Sequence, residues 1–175
     1  VQAGVVASAW DRDRVVGNVA LAVARARDAG VPVIWVQHND SELPRGSPAW
    51  QWVPALDPRP TETVVHKSFN SAFEQTELAS ILERERVNHL VLAGAATNWC
   101  IRATAYAAMD RGYNLTLLED AHTTESIEFA DGRSIHARDI VDDLNVSVRW
   151  LTYPGRVNGT ACAGNVDFAV VGGTK

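Results

Sequence analysis

The sequence is short of cysteine, of long apolar runs and of positive charge, and each shortage removes a class of protein. Two cysteines, Cys100 and Cys162, in 175 residues are too few for a disulfide scaffold, and the absence of a Cys-x-x-Cys pair argues against a dithiol redox protein. No charged-then-apolar leader is visible, so the thiols are expected to be free and the protein soluble and cytoplasmic. The sequons at Asn39, Asn114, Asn145 and Asn158 are then expected to carry no glycan. Apolar runs such as residues 31–36 fall far short of the ~20 residues that span a bilayer as a helix. The net charge of -5 is spread along the chain, which disfavours nucleic acid and an anionic membrane surface as partners and leaves a small molecule or another subunit. No glycine-rich phosphate loop appears, so no nucleotide cofactor is expected. What remains, with an apolar fraction of 46%, suffices for one domain over residues 1–175 that closes its own core.

The spacing of apolar residues predicts alternating helices and strands. Val15, Val16, Val19 and Val23 repeat on a helical period over residues 15–29, and Gly30 stands where a left-handed C-terminal cap is favoured. Residues 31–36 read as a buried strand. Residues 38–62 carry five of the prolines and no periodicity, so they read as a long surface loop. Strands are then predicted over 63–66, 89–93, 115–118 and 146–151, and helices over 76–86, 97–111 and 134–144. Residues 154–175 read as an irregular C-terminal tail. Alternation of this kind implies right-handed crossovers and a mostly parallel sheet covered on both faces, an α/β fold whose ligand sits at the carboxyl ends of the strands. His38, His66, Lys67, Gly94 to Thr97 and His122 converge there. Only Val1-Gln-Ala-Gly-Val-Val6 precedes the first helix, so a first strand is expected to have been cut off.

Among the residues at this rim, Cys100 ends Gly94-Ala-Ala-Thr-Asn-Trp-Cys100, where a strand gives way to a helix. Unpaired amides and the positive end of the helix dipole would draw negative charge onto its sulfur and onto a carbonyl oxygen attacked by it. A lone cysteine is also commonly a small buried apolar residue. Lys67, in Val64-Val-His-Lys67, reaches the same rim, although most lysines are simply solvated. Trp10, Trp50, Trp52, Phe69, Phe73 and Trp99 could wall a substrate pocket or fill the core and an interface. Cys162 has no neighbouring base and reads as inert.

Taken together, Val1-Gln-Ala-Gly-Val-Val6, Lys67-Ser-Phe-Asn-Ser-Ala-Phe73, Gly94-Ala-Ala-Thr-Asn-Trp-Cys100 and Glu119-Asp-Ala-His-Thr-Thr124 resemble the isochorismatase-like cysteine hydrolases, in the right order over nearly the whole chain. The resemblance implies a three-layer αβα fold of Rossmann-like type with a mostly parallel six-stranded sheet. It implies an Asp-Lys-Cys triad, of which Lys67 and Cys100 are present and the Asp is expected immediately before Val1. Asp11 and Asp13 come too late to replace it. It further implies a cis peptide between Ala95 and Ala96, an oxyanion hole from the Ala96 and Cys100 amides, and substrate contacts from Gln2, Trp10, Phe73, Thr97 and Trp99. Metal-binding relatives use an Asp-x-His pair, a spacing that Gln37-His38-Asn39-Asp40 lacks, so neither metal nor other cofactor is expected. The implied activity is hydrolysis of a small amide or lactam through a thioester, with the streptothricin-hydrolase branch suggested by Tyr153-Pro-Gly-Arg-Val-Asn-Gly-Thr160 and the Trp50 region. A homo-oligomer, dimer or tetramer, is implied as well. The alternative is a non-catalytic homologue that binds a carbonyl compound or serves as an assembly subunit.

Overall fold

The computed structural model describes residues 1–168; the end of the expected tail, 169–175, lies outside the described residues. The first helix, α1 (Arg12–Asp28), buries Val15, Val16, Val19, Ala22 and Ala26 on one stripe, the i, i+4, i+7 pattern of a helix lying on a sheet. Its end is a Schellman motif: Gly30, at φ 69°, donates to Arg27 O at 3.1 Å, and Val31 N donates to Ala26 O at 2.9 Å. Val31 N is thereby spent on the cap and Pro32 has no N–H, so strand β1 is Ile34–His38 and not residues 31–36. The long loop follows. It is tied to α1 and β1 through Glu62, which accepts from Arg27 Nε at 2.7 Å and from Trp35 Nε1 at 2.7 Å.

Strand β2 (Thr63–Lys67) pairs in parallel with β1, and their last residues, His38 and Lys67, stand side by side. After α2 (Leu78–Arg84) come β3 (His89–Ala95), a wide π-type turn over Thr97–Ile101, and α3 (Arg102–Asp110). Strand β4 (Asn114–Thr123) pairs in parallel with β3. It is longer than predicted, because its second half keeps pairing beyond an irregularity that brings Gly94 opposite His122. A short antiparallel ribbon, β5 (Ile127–Glu128) with β6 (Ser134–Ile135), leads to α4 (Ala137–Trp150), and β7 (Asn158–Ala161) closes the order beside β4.

Two expectations are corrected at this end of the chain. Residues 146–151 are not a strand: Val148 continues the buried series Ala137, Val141 and Leu144 of α4, while Val146 and Trp150 face outward. Every second residue from Val146 to Trp150 is apolar and imitates strand alternation, yet Val148 is in phase with the helix. The last parallel strand is instead β7, inside the stretch read as irregular tail. Asn158 fixes it there, donating to Val148 O at 2.6 Å and to Leu151 O at 2.8 Å, two carbonyls at the end of α4.

The sheet alternation sorts the core. On one face Trp35, Leu118 and Ala121 pack under α1 with Val53 and Leu56 of the loop; on the other, Leu115 and Leu117 meet α3 and α4, and Val65 meets α2. Helices thus cover both faces of an α/β fold. In place of one six-stranded sheet, the described residues form two parallel ladders, β1-β2 and β3-β4-β7, and the separate β5-β6 ribbon. No ladder of backbone bonds joins β1 to β3 among the described residues. Near the carboxyl end of β1 the Gln2 side chain meets the strand instead, accepting from His38 N at 2.7 Å and donating to His38 O at 2.9 Å.

Candidate active site

The carboxyl ends of β1, β2 and β3 bring His38, Lys67 and the Cys100 turn together. Lys67 alternates inward on β2 and is 5% exposed, an unusual place for an ammonium unless it is paired. Its Nζ lies 3.1 Å from Cys100 Sγ, 2.8 Å from Phe69 O and 3.1 Å from His38 Nδ1. The lysine is therefore satisfied inside the protein, with the sulfur as one acceptor. The Val1 backbone nitrogen is buried close to Cys100. Lys67 is the sulfur's hydrogen-bonded cation.

Cys100 is carried by the π-type turn that joins β3 to α3, after a cis peptide between Ala95 and Ala96. A second network holds this turn from below. Thr97, fully buried, bonds His122 Nδ1 at 2.9 Å, and His122 Nε2 bonds Asn145 Oδ1 at 2.9 Å. Asn145 uses its amide hydrogens on Glu119 O, so its oxygen is an acceptor and His122 carries its proton on Nε2. Thr97 then donates to Nδ1. Burial holds His122 below the usual imidazole range, only partly opposed by the Asn145 bond, which suits a neutral link of this kind.

Beside the turn opens a cavity of about 400 Å³ lined by Val5, Ala96, Asn98, Trp99, Thr124 and Glu125, among others. Trp99 is the exposed aromatic on this wall, at 57%, and Thr124 Oγ1 donates to Asn98 Oδ1 at 2.6 Å, a bond that does not use the Asn98 NH2.

Not all of the residues named from sequence gather here. Phe73 is buried among Val65, Leu78 and Leu82 and stacks on Tyr113 at 5.9 Å; it belongs to the core, and aromatic character alone does not distinguish the two uses. Gln2 and Thr97 are buried and spend their polar groups on His38 and His122, so they shape the site from behind. Trp10 is outside the cavity lining, bonded through its backbone N–H to Thr124 O at 2.9 Å. His66 points out of the sheet and stacks on Trp50 at 5.9 Å, away from His38 and His122. Among the described residues no group of three or more His, Cys, Asp or Glu side chains is arranged to hold a metal. Asp11 and Asp13 are engaged with Arg14 and Arg12 at the start of α1. Sequence reasoning misses the tie between His38 and Lys67, and the Asp40 carboxylate behind it, at 2.9 Å from His38 Nε2. The available signal is that both residues end neighbouring strands.

Comparison with known proteins gives a consistent answer. The family model described as isochorismatase domain matches residues 1–138. A streptothricin hydrolase of Streptomyces noursei is 36% identical over 143 residues, covering 77% of this chain and 56% of its own length. A second streptothricin hydrolase of that organism is 32% identical over 121 residues, covering 67% of this chain and 44% of its own. The chain thus spans about half the length of the curated relatives it matches. Among solved structures, an isochorismatase from Pseudomonas putida superposes with a TM-score of 0.84 at 27% identity, over 95% of this chain and 86% of that one. No helix among the described residues is long and apolar enough to cross a membrane. With its matched region running from α1 through β6 and including both Lys67 and Cys100, this chain belongs to the isochorismatase family.

Proposed function

We propose that this chain is a cysteine-dependent hydrolase that opens a carbon-nitrogen bond, amide or lactam, of a small molecule through a thioester. The observation that carries the reading is the 3.1 Å contact between the buried Lys67 ammonium and the Cys100 sulfur, at the strand ends of a parallel sheet. An ammonium so placed attracts negative charge on sulfur, and a sulfur anion is the attacking form in acyl transfer. In the proposed reaction the sulfur bonds to the carbonyl carbon and the carbonyl π pair moves to oxygen. The Ala96 and Cys100 amides are the donors assigned to that oxyanion; the position of Ala96 on the cavity wall supports this. The oxyanion collapses, the carbon-nitrogen bond breaks, and the amine leaves with a proton. Water then attacks the thioester and returns the thiol and a carboxylate.

The proton must be carried by an acid, and none of the carboxylates at Asp11, Asp13 or Asp40 reaches the sulfur directly. The position immediately before Val1 is the proposed one, supported by the burial of the Val1 backbone nitrogen close to Cys100. In that reading the residues before Val1 run as a strand beside β1 and β3 and complete the six-stranded sheet. Relatives named streptothricin hydrolase make a lactam the first substrate to try. The test is to map iodoacetamide labelling and to screen small amides, ureas and lactams for carboxylate or ammonia release by the full-length protein. Cys100 is expected to label near neutral pH well before Cys162. Slow labelling of both at one rate, with no turnover, would refute the proposal.

A further inference from the structure

The bonds around Lys67 fix the state of a residue that never touches the sulfur. An ammonium offers three hydrogens and no lone pair, and three acceptors surround Nζ: Phe69 O, Cys100 Sγ and His38 Nδ1. His38 must therefore present a bare Nδ1. A neutral imidazole then holds its proton on Nε2, and that nitrogen faces Asp40 Oδ2 at 2.9 Å. Asp40 is kept as an acceptor: its other oxygen takes the Glu42 and Leu43 N–H groups, both at 2.8 Å. These bonds, that to Leu43 foremost, hold its carboxyl below the ordinary range. The His38 backbone is anchored separately by Gln2 and by its place in β1, so its ring is free to serve the lysine.

We infer that His38 and Asp40 are positioning residues of the nucleophile: Asp40 selects the His38 tautomer, His38 holds the ammonium, and the ammonium is thereby aimed at Cys100. The inference rests on the reading of Cys100 as nucleophile. It differs from a plain turn-capping role for Asp40 in one respect. Asp40→Asn keeps an oxygen for the Glu42 and Leu43 amides, but it can set an NH2 group opposite Nε2. His38 then accepts on Nε2 and carries its proton on Nδ1, where two donors, imidazole N–H and ammonium, confront each other. The lysine, on its flexible stem, is expected to swing off the sulfur. His38→Leu removes the acceptor outright, whereas His38→Asn can return an oxygen to the place of Nδ1.

The experiment is iodoacetamide labelling of Cys100 at pH 7, with Cys162 as internal reference, in the full-length protein and in Lys67→Met, His38→Leu, His38→Asn and Asp40→Asn. It is paired with the imidazole nitrogen NMR shifts of His38 in the unaltered protein. Expected are the Nε2–H tautomer and a loss of about tenfold in Cys100 rate for His38→Leu and for Asp40→Asn, with most of it restored in His38→Asn. An Nδ1–H tautomer, or an unaltered rate in Asp40→Asn while Lys67→Met is slow, would overturn the inference. Should the unaltered protein and Lys67→Met label equally slowly, the nucleophile reading fails instead, and the tautomer alone decides whether the pair holds the lysine. A variant that does not fold reveals itself by equal labelling of both thiols, and the tautomer of the unaltered protein then decides the question in its place.

Discussion

Two cysteines sit near strand ends of the same sheet, in opposite electrostatic company. Cys100 has the Lys67 ammonium at 3.1 Å. Cys162, just past β7, has the Glu119 carboxylate at 3.4 Å, and burial, with that carboxylate and Asp120, pushes its thiol above the usual value. Both are partly buried, so accessibility does not separate them. The sign of the nearest charge does. A thiol beside an anion is discouraged from ionising, and one beside a cation is drawn toward attack.

The contrast can be broken most severely at the sulfurs themselves. Cys100→Ala is expected to lower amide or lactam hydrolysis by at least about a thousandfold, and Cys162→Ala to leave it within about twofold, by steady-state kcat/KM. Removing the cation comes next. Lys67→Met should slow iodoacetamide attack on Cys100 by roughly 10 to 100-fold, the scale of one charge-assisted hydrogen bond, and leave Cys162 unaffected. The reciprocal change, Glu119→Gln, should raise the Cys162 labelling rate by about threefold to tenfold at pH 8 and leave Cys100 unaltered. The smallest effect is on stability. Bonds from Thr160 first, and the nearby Arg149, hold Glu119 below the ordinary carboxylate range, so its folded value lies under its unfolded one. The stability it contributes is present above the unfolded value and is lost as pH falls through the folded one. A difference of about 1 kcal/mol between the unaltered protein and Glu119→Gln should therefore be seen in thermal melts at pH 7 and vanish on acidification below pH 4.

A harder test of the scaffold lies in Glu62, whose carboxyl is lowered to about 2 by Arg27 foremost, with Arg59 N and Trp35 Nε1. By the same sign, its contribution is complete above pH 5 and drains away toward pH 2, up to about 3 kcal/mol. The melting temperature of Glu62→Gln should converge on that of the unaltered protein over that range.

How far the sequence carries toward this picture differs between fold and site. The first helix, its glycine end and the strands around Val36, Val65 and Leu92 are legible because one local pattern dominates each. Residues 146–151 mislead because Val146, Val148 and Trp150 alternate as in a strand while Val148 alone also keeps the helical phase of α4, and only the packing of Val148 chooses between the two. The strand at 158–161 gives almost no apolar signal: Asn158, Gly159 and Thr160 form it because β4 and the end of α4 supply partners. At the site, Cys100 and Lys67 are visible through resemblance, while Phe73 is not separable from pocket aromatics. The Asp40–His38–Lys67 chain is invisible for a topological reason. Residues 29 apart along the chain become neighbours only through the register of β1 against β2.

The tripod around Lys67 also bears on what evolution or an engineer can place there. Its three acceptors match the three hydrogens of a tetrahedral ammonium in number, whereas a guanidinium spreads its hydrogens within one plane. Exchange for arginine preserves the charge and still leaves the geometry unmet, so what is fixed at this position is the shape of the cation as much as its sign.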